Sequence, residues 1–500
     1  MARLFVFAIG GTGSRVLKSL TMLLAARVEP NSEREYEIVP IIIDPHKGNE
    51  DLKRTVRLLN NYQSICEEAG TNNGFFGTKI STLEKLVKTQ NRLAGTFTFN
   101  LQQVANTRFK DYIGYKELDE PNQALTSLLF SGSSINKNGE KVDLLDIEMD
   151  IGFIGNPNIG SVVLNQFKDS EEFKEFASNY SAEDRIFIIS SIFGGTGAAG
   201  FPTILKNIRD AMNNPNLNSK GFLQDSKIGA ITVLPYFNIE KDNDSPIQKS
   251  NFIAKTKAAL SYYKDNVTGN RSVNALYYIG DDFTGKPYKN DPGDNGQMND
   301  AHFIELASAL ALIDFLEIPD GELVTENGKA LKPVYKELGI RNDSAQIKFS
   351  DFEDSIERKI TMPISQFALF RKYLNEHISD AIEKEAWSNN KPEINNKFLD
   401  DTFYRTHLTE FLNSFKEWLS EMSDNRRGFS PINLNSELNR LIEDRTVKTG
   451  WFSGKVNYVM FDNRLSKLSK KAYNSPAQKL VNLFYNTTQQ ILISKYGLKK

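Results

Sequence analysis

Three glycine-rich loops in this chain follow stretches that read as strands or open stretches that read as helices. That arrangement limits the possible folds more than any other feature. Residues 4–9 form a continuous apolar run, followed by Gly10-Gly11-Thr12-Gly13. A run apolar along its whole length suits a strand buried on both faces. From about Ser14, apolar Val16, Leu17, Leu20, Leu23 and Leu24 recur at helical spacing. Residues 144–149 read as a strand leading into a loop from Gly152 to Gly160. Residues 185–191 read as another buried strand, before Phe193-Gly194-Gly195-Thr196-Gly197-Ala198-Ala199-Gly200. A helix is expected from about Pro202, because proline suits a first helical turn. A further buried strand, 38–43, ends at Asp44, and others are expected at 228–234 and 273–279. Strand, helix and strand in this order predict an α/β fold with a parallel sheet.

Glycine lets a backbone approach a ligand closely and adopt positive φ. A helix N-terminus then offers free N–H groups and partial positive charge to a phosphate. Several such loops on one sheet imply a polyphosphate at the carboxyl edge of the strands. A P-loop is absent, since the Gly-Lys pairs at 285, 328 and 454 all lack the following Ser or Thr. Gly195 to Gly200 matches the dinucleotide pattern GxGxxG. The next strand, however, ends Leu234-Pro235-Tyr236-Phe237, without the ribose-binding acid that pattern requires. A dinucleotide-dependent oxidoreductase therefore ranks third among the functions considered.

The rest of the chain sets the frame. Its 500 residues are 40% hydrophobic, enough for sizeable cores. One cysteine, Cys66, excludes an intrachain disulfide and a CxxC metal site. His46, His302, His377 and His407 form no zinc-type motif. No apolar run reaches the ~18 residues of a membrane span, and the start lacks a signal-peptide pattern, so a cytoplasmic location is expected. Helices are expected at 83–92, 123–130, 250–264, 364–386, 402–422 and 478–496, with a β-like piece at 455–461 and surface loops at 136–140 and 282–296. A long apolar helix at 300–316 ends at Pro319-Asp320-Gly321. A boundary there gives a nucleotide-binding domain at 1–318, with an insertion at about 50–150, and a helix-rich domain at 319–500. Residues 451–500 hold nine basic residues and one acid within a chain of net charge −2. Such a tail suits either a solvated helix face or an acidic partner.

Phe193-Gly194-Gly195-Thr196-Gly197-Ala198-Ala199 resembles the tubulin/FtsZ loop GGGTG[ST]G, with Phe193 at the first glycine and Ala198 at the Ser/Thr. Gly10-Gly11-Thr12-Gly13-Ser14-Arg15 resembles the first FtsZ loop, GGAGGN, and Gly155-Asn156-Pro157-Asn158-Ile159-Gly160 resembles its third loop. Asp44 is similar to the acid ending the second strand. Asn299-Asp300-Ala301-His302-Phe303-Ile304-Glu305-Leu306 resembles a helix start of the divergent bacterial tubulin-like proteins. The resemblance covers about residues 1–318.

This resemblance implies a tubulin/FtsZ-like α/β domain holding GTP or GDP. Gly11 to Ser14 and Gly194 to Ala198 would surround the phosphates, with hydroxyls from Thr12 and Thr196. Gly155, Asn156, Pro157 and Gly160 would cover the γ-phosphate side, and Asp44 would approach a hydrated Mg²⁺. Arg15, at the family's asparagine position, would pair with phosphate. His302 or Phe303 would stack on the base, and Asn299 or Glu305 would bond its edge. Self-association is implied, with hydrolysis completed by a neighbour's acids. The family's N-x-D-x-x-D is missing after the core helix, leaving Asp314, Asp320 and Glu322 as replacements and GTPase activity open. A non-polymerising, nucleotide-gated adaptor, binding a protein partner through the C-terminal helices, is the alternative.

Overall fold

The computed structural model describes all residues except 33, 71–72, 88–94, 136–139, 150–151, 154, 218–219, 240–248, 282–286, 289–297, 338–344, 448–454 and 500. Most of the expected loop at 136–140 and most of that at 282–296 lie outside the described residues.

Six parallel strands form the central sheet: β1 (Ala2–Ile9), β2 (Tyr36–Ile43), β3 (Arg185–Ser191), β4 (Lys227–Val233), β5 (Ala275–Ile279) and β6 (Val334–Glu337). Their order is β2-β1-β3-β4-β5-β6, and every pairing is parallel. The α/β expectation therefore holds. The inner strands are buried along nearly their whole length, because helices cover both faces. On one face lie α1 (Gly10–Ala25) and the core helix α2 (Phe303–Glu317). Gly229 lets that core helix lie flat on the sheet: a Cβ there would sit 2.8 Å from the Phe315 ring. On the other face, Phe5 and Phe7 meet Phe176 edge to face at 4.9 and 5.2 Å.

Several expected boundaries shift. The first helix starts at Gly10 rather than Ser14, so the glycines are its first turn. The helix after β3, α3 (Gly195–Arg209), likewise starts ahead of Pro202, which lies inside it. Proline has no N–H to give the carbonyl four residues back; there the Tyr263 hydroxyl donates to Ala198 O at 3.2 Å. Residues 157–164 form a helix, α4 (Pro157–Leu164), rather than a loop. Residues 144–149 contribute no strand to the sheet, and 144–146 form a short 3₁₀ turn. Asp146 and Glu148 interrupt the apolar run that a strand buried on both faces needs. The piece at 455–461 is not β-like: a helix, α5 (Tyr458–Leu468), starts there, capped by Asn457.

Two differences bear on domain organisation. The edge strand β6 comes from beyond residue 319, so the sheet itself crosses the expected boundary. Within the expected insertion, α6 (Glu50–Ala69) packs on α1 and on α7 (Thr409–Asp424) and α8 (Pro476–Ile491) of the C-terminal region. It is a shared core element.

Candidate phosphate-binding site

The strand order reverses between β1 and β3. The chain leaves β1 toward β2 on one side, and β3 takes the other side of β1. Loops after two such strands run apart and leave a crevice at the carboxyl edge, where α/β sheets place ligands. The glycine loops after β1 and β3 sit at that point.

The third loop joins them. A Cβ on Gly10 would lie 3.4 Å from Thr196 Cβ and 3.6 Å from Gly197 N. A Cβ on Gly195 would lie 2.9 Å from Gly155 N and 3.1 Å from Asn156 N. One on Gly160 would lie 2.7 Å from Ala199 Cβ. Gly10 and Gly155 have φ of +70° and +68°. Side chains there would strain the turns that hold the loops together.

The helices opened by these loops, α1, α3 and α4, have no side-chain cap and no acid in their first turn. By contrast, Asn49 caps α6, His302 caps α2 and Ser475 caps α8. Among the described residues no side chain caps these three helix starts, and their partial positive charges converge at the crevice. Among the polar loop residues, Ser14 Oγ bonds back to Gly10 O at 3.4 Å and Asn156 Nδ2 to Phe153 O at 3.1 Å. Thr196 and Gly194 are partly exposed, and Pro157 sets the first turn of α4.

Arg15 occupies a different place from the phosphate-pairing one expected of it. Its guanidinium is buried and donates to Glu305 Oε1 at 2.7 Å, Asp51 Oδ2 at 3.0 Å, the Tyr236 hydroxyl at 2.8 Å and Thr12 Oγ1 at 3.3 Å. Two carboxylates in a poorly solvated site hold a cation more firmly than a crevice open to water. Arg15 therefore ties the first loop to α6 and α2.

Asp44 lies beside Gly10, because Ile9 pairs with Ile43. Its Oδ1 accepts from His46 N at 3.0 Å, and it forms no ion pair among the described residues. Burial pushes its carboxyl up to about 7. Its hard oxygens, beside the first glycine loop, are of the kind Mg²⁺ prefers. The sign of the linkage is definite. A carboxyl raised from 3.8 to about 7 in the folded state destabilises that state progressively from about pH 4 upward, levelling off above about 7. Asp44→Asn is therefore expected to raise the melting temperature of the nucleotide-free protein, more at pH 8 than at pH 5. An equal effect at both pH values in a melting series would contradict this placement.

Of the residues expected at the base, His302 caps α2 through Nδ1, which accepts from Ile304 N at 3.1 Å. Its ring meets Tyr236 edge to face at 5.1 Å, and burial lowers its pKa to about 4, keeping it neutral. Phe303 points elsewhere, into a cluster with Phe352 and Phe429 at 5.6 and 6.4 Å. Asn299 is buried, with its N–H 3.3 Å from Asp51 Oδ1. Glu305 is committed to Arg15 and to Tyr236, whose hydroxyl donates to Oε1 at 2.7 Å.

Sequence reasoning missed Asp51 and Tyr236. A faint signal existed for the first: Asn49 ahead of Glu50-Asp51 is a helix-start pattern.

The candidate catalytic acids lie toward the opposite, amino edge of the sheet. Asp314 accepts from the Tyr277 hydroxyl and Lys336 Nζ, both at 2.6 Å. Asp320 pairs with Arg185 at 2.7 Å, Arg34 at 2.9 Å and Lys227 at 3.1 Å. Burial raises its pKa, but hydrogen bonds from Arg185 and Lys227 outweigh that and bring it to about 2. Glu322 is exposed.

No family model matches the sequence, and no curated protein matches it. Solved structures similar to this chain include CetZ2 from Haloferax volcanii as a GTPγS-bound protofilament, at 12% identity over 64% of this chain and 59% of that one, TM-score 0.30. TubZ of Clostridium botulinum phage c-st is similar at 13% identity over 71% and 74%, TM-score 0.28. An empty FtsZ dimer from M. jannaschii is similar at 14% identity over 56% and 45%, TM-score 0.24. The chain thus spans 59% of CetZ2 and 45% of that FtsZ chain. These similar structures are all members of the tubulin/FtsZ superfamily.

Proposed function

We propose that the chain binds GTP or GDP, with Mg²⁺ beside Asp44, and that the bound nucleotide governs its self-association. The observation that carries this reading is the convergence of three uncapped, glycine-opened helices at the strand-order reversal. Backbone N–H groups of Gly11 to Ser14 and of Gly195 to Ala198 would hold the phosphates. Gly155 to Gly160 would close the γ side. The guanine preference rests on the sequence resemblance, with neutral His302 as the ring nearest the base position.

Self-association would run head to tail, bringing the amino edge of one sheet to the carboxyl edge of another, a heterologous contact that does not close on itself. Asp314 and Asp320 are held in internal ion pairs. A paired carboxylate with pKa near 2 is a poor general base. Exposed Glu322 is left as the acid that a neighbour would present, and slow hydrolysis follows. That pairing also favours the second reading, a nucleotide-gated adaptor that does not polymerise.

Sedimentation equilibrium with GTP, GDP, ATP and NAD tests the set. GTP-dependent growth in mass at micromolar protein supports self-association. A GTP-bound monomer supports the adaptor. Thermal stabilisation by NAD and not by GTP would discard both.

A further inference from the structure

Behind the second and third loops, α3, α4 and α9 (Lys249–Tyr263) enclose a cavity of about 640 Å³. That lies within the roughly 300–1,000 Å³ of small-molecule sites. It is distinct from the crevice above, since neither Gly10 to Ser14 nor His302 lines it. It shares Gly155, Pro157, Gly194 and Ala198 with the loops proposed to hold the phosphates.

The chemistry of its wall is one-sided. Two lysines, Lys206 and Lys255, line it, and among the described residues no acid does. Lys255 Nζ donates to Gly155 O at 2.6 Å, which uses one of its three N–H bonds. Asn207, 9% exposed, sits in the same wall. Its carboxamide nitrogen is buried with no hydrogen-bond partner among the described residues. Buried donors are seldom left so. The rest of the wall is largely apolar, with Phe193, Pro202, Ala259 and Tyr263 prominent.

We propose that this cavity binds a small amphiphilic anion, a carboxylate, sulfonate or phosphate head on an aromatic body. The head is met by Lys206, Lys255 and the Asn207 amide, and the body lies on the apolar wall. An occupant touches Gly155 and Gly194 together and braces the third loop against the second. On the nucleotide reading above, on which this clause alone rests, occupancy and GTP affinity are coupled, and reciprocally so.

The test uses the full chain and the fluorescent anion 1-anilinonaphthalene-8-sulfonate, with neutral N-phenyl-1-naphthylamine as its uncharged counterpart. Loss or reversal of a charge-assisted contact weakens binding by about tenfold or more. The sulfonate is expected to bind about tenfold tighter than the neutral probe. Lys206→Glu, at an exposed position, is expected to raise its dissociation constant about tenfold, and Ala259→Trp to remove binding by filling the cavity. Equal affinity for the two probes, or wild-type affinity in both variants, overturns the site. The titration is repeated with saturating GTP. If GTP binds and the sulfonate constant does not move, the coupling is overturned and the site stands. If GTP does not bind, the probe results still decide the site.

Discussion

Gly11→Asp is expected to abolish GTP binding while leaving the fold intact. Gly11 is partly exposed at the crevice and has no positive φ. A Cβ there would meet Asn49 Nδ2 at 3.4 Å and Arg15 Nη1 at 3.5 Å, ordinary contacts that require no rearrangement. The carboxylate would then sit in the first loop itself, beside Asn49 and Arg15 and next to the N–H groups proposed to hold the phosphates. Two unit charges about 4 Å apart at an effective dielectric near 20 repel by about 4 kcal/mol, roughly a thousandfold in affinity. Gly11→Ala adds the methyl without the charge and is expected to lose less than about tenfold. The comparison matters because the neighbouring glycines cannot give it. A Cβ on Gly13 would lie 2.6 Å from Ala8 C, and one on Gly197 would lie 2.6 Å from Ser191 O. Those variants would disturb the strand ends and lose binding for structural reasons. Isothermal titration with GTP, beside a melting curve of the nucleotide-free protein, separates the cases. An unchanged GTP constant in Gly11→Asp would sink the site.

Five of the six sheet strands were legible because burial on both faces leaves near-continuous apolar runs, as in Phe5 to Ile9 and Ile186 to Ile189. The sixth, Val334-Tyr335-Lys336-Glu337, is an edge strand of alternating exposure and carries no such run. The glycine loops were legible as loops, yet Gly10, Gly11, Gly13, Gly195 and Gly197 proved to lie in first helical turns. Glycine is a weak helix former and so masks a helix start. The role of Arg15 was not legible. Its partners Asp51, Tyr236 and Glu305 lie 36, 221 and 290 residues away in sequence, and only folding brings them together. Phe303 shows the same limit. An aromatic at a helix start suits a base or a core equally, and Phe352 and Phe429 from the C-terminal region decide for the core.

Deleting residues 476–500 is expected to unfold the protein rather than release a partner. The charge run alone suited a solvated helix face or an acidic partner, but α8 inside it is a core helix. Leu480, Val481, Leu483, Phe484 and Ile491 are all fully buried. Each contributes about 1.5–3 kcal/mol by burial, and five together approach the ~5–15 kcal/mol stability of a whole domain. Basic character does not place α8 outside either. Lys479 is fully buried, with Nζ donating to Asn390 O and, at 2.9 Å, to Pro392 O, so this lysine closes a loop instead of meeting an acidic partner. The damage would also cross into the half that carries the glycine loops. Phe75, just past α6, meets Tyr485 edge to face at 5.3 Å, and a Cβ on Gly74 would lie 2.6 Å from Val481 O. Since α6 carries Asp51, which holds Arg15 under the first loop, loss of α8 removes support from that loop. Circular dichroism of the truncated chain should show no cooperative melting, and GTP should restore none. A soluble truncation that melts within a few degrees of the full chain would show that the helix packs less firmly than its burial indicates. Exposed Lys467, Lys470 and Lys471 would then be the residues to test against an acidic partner.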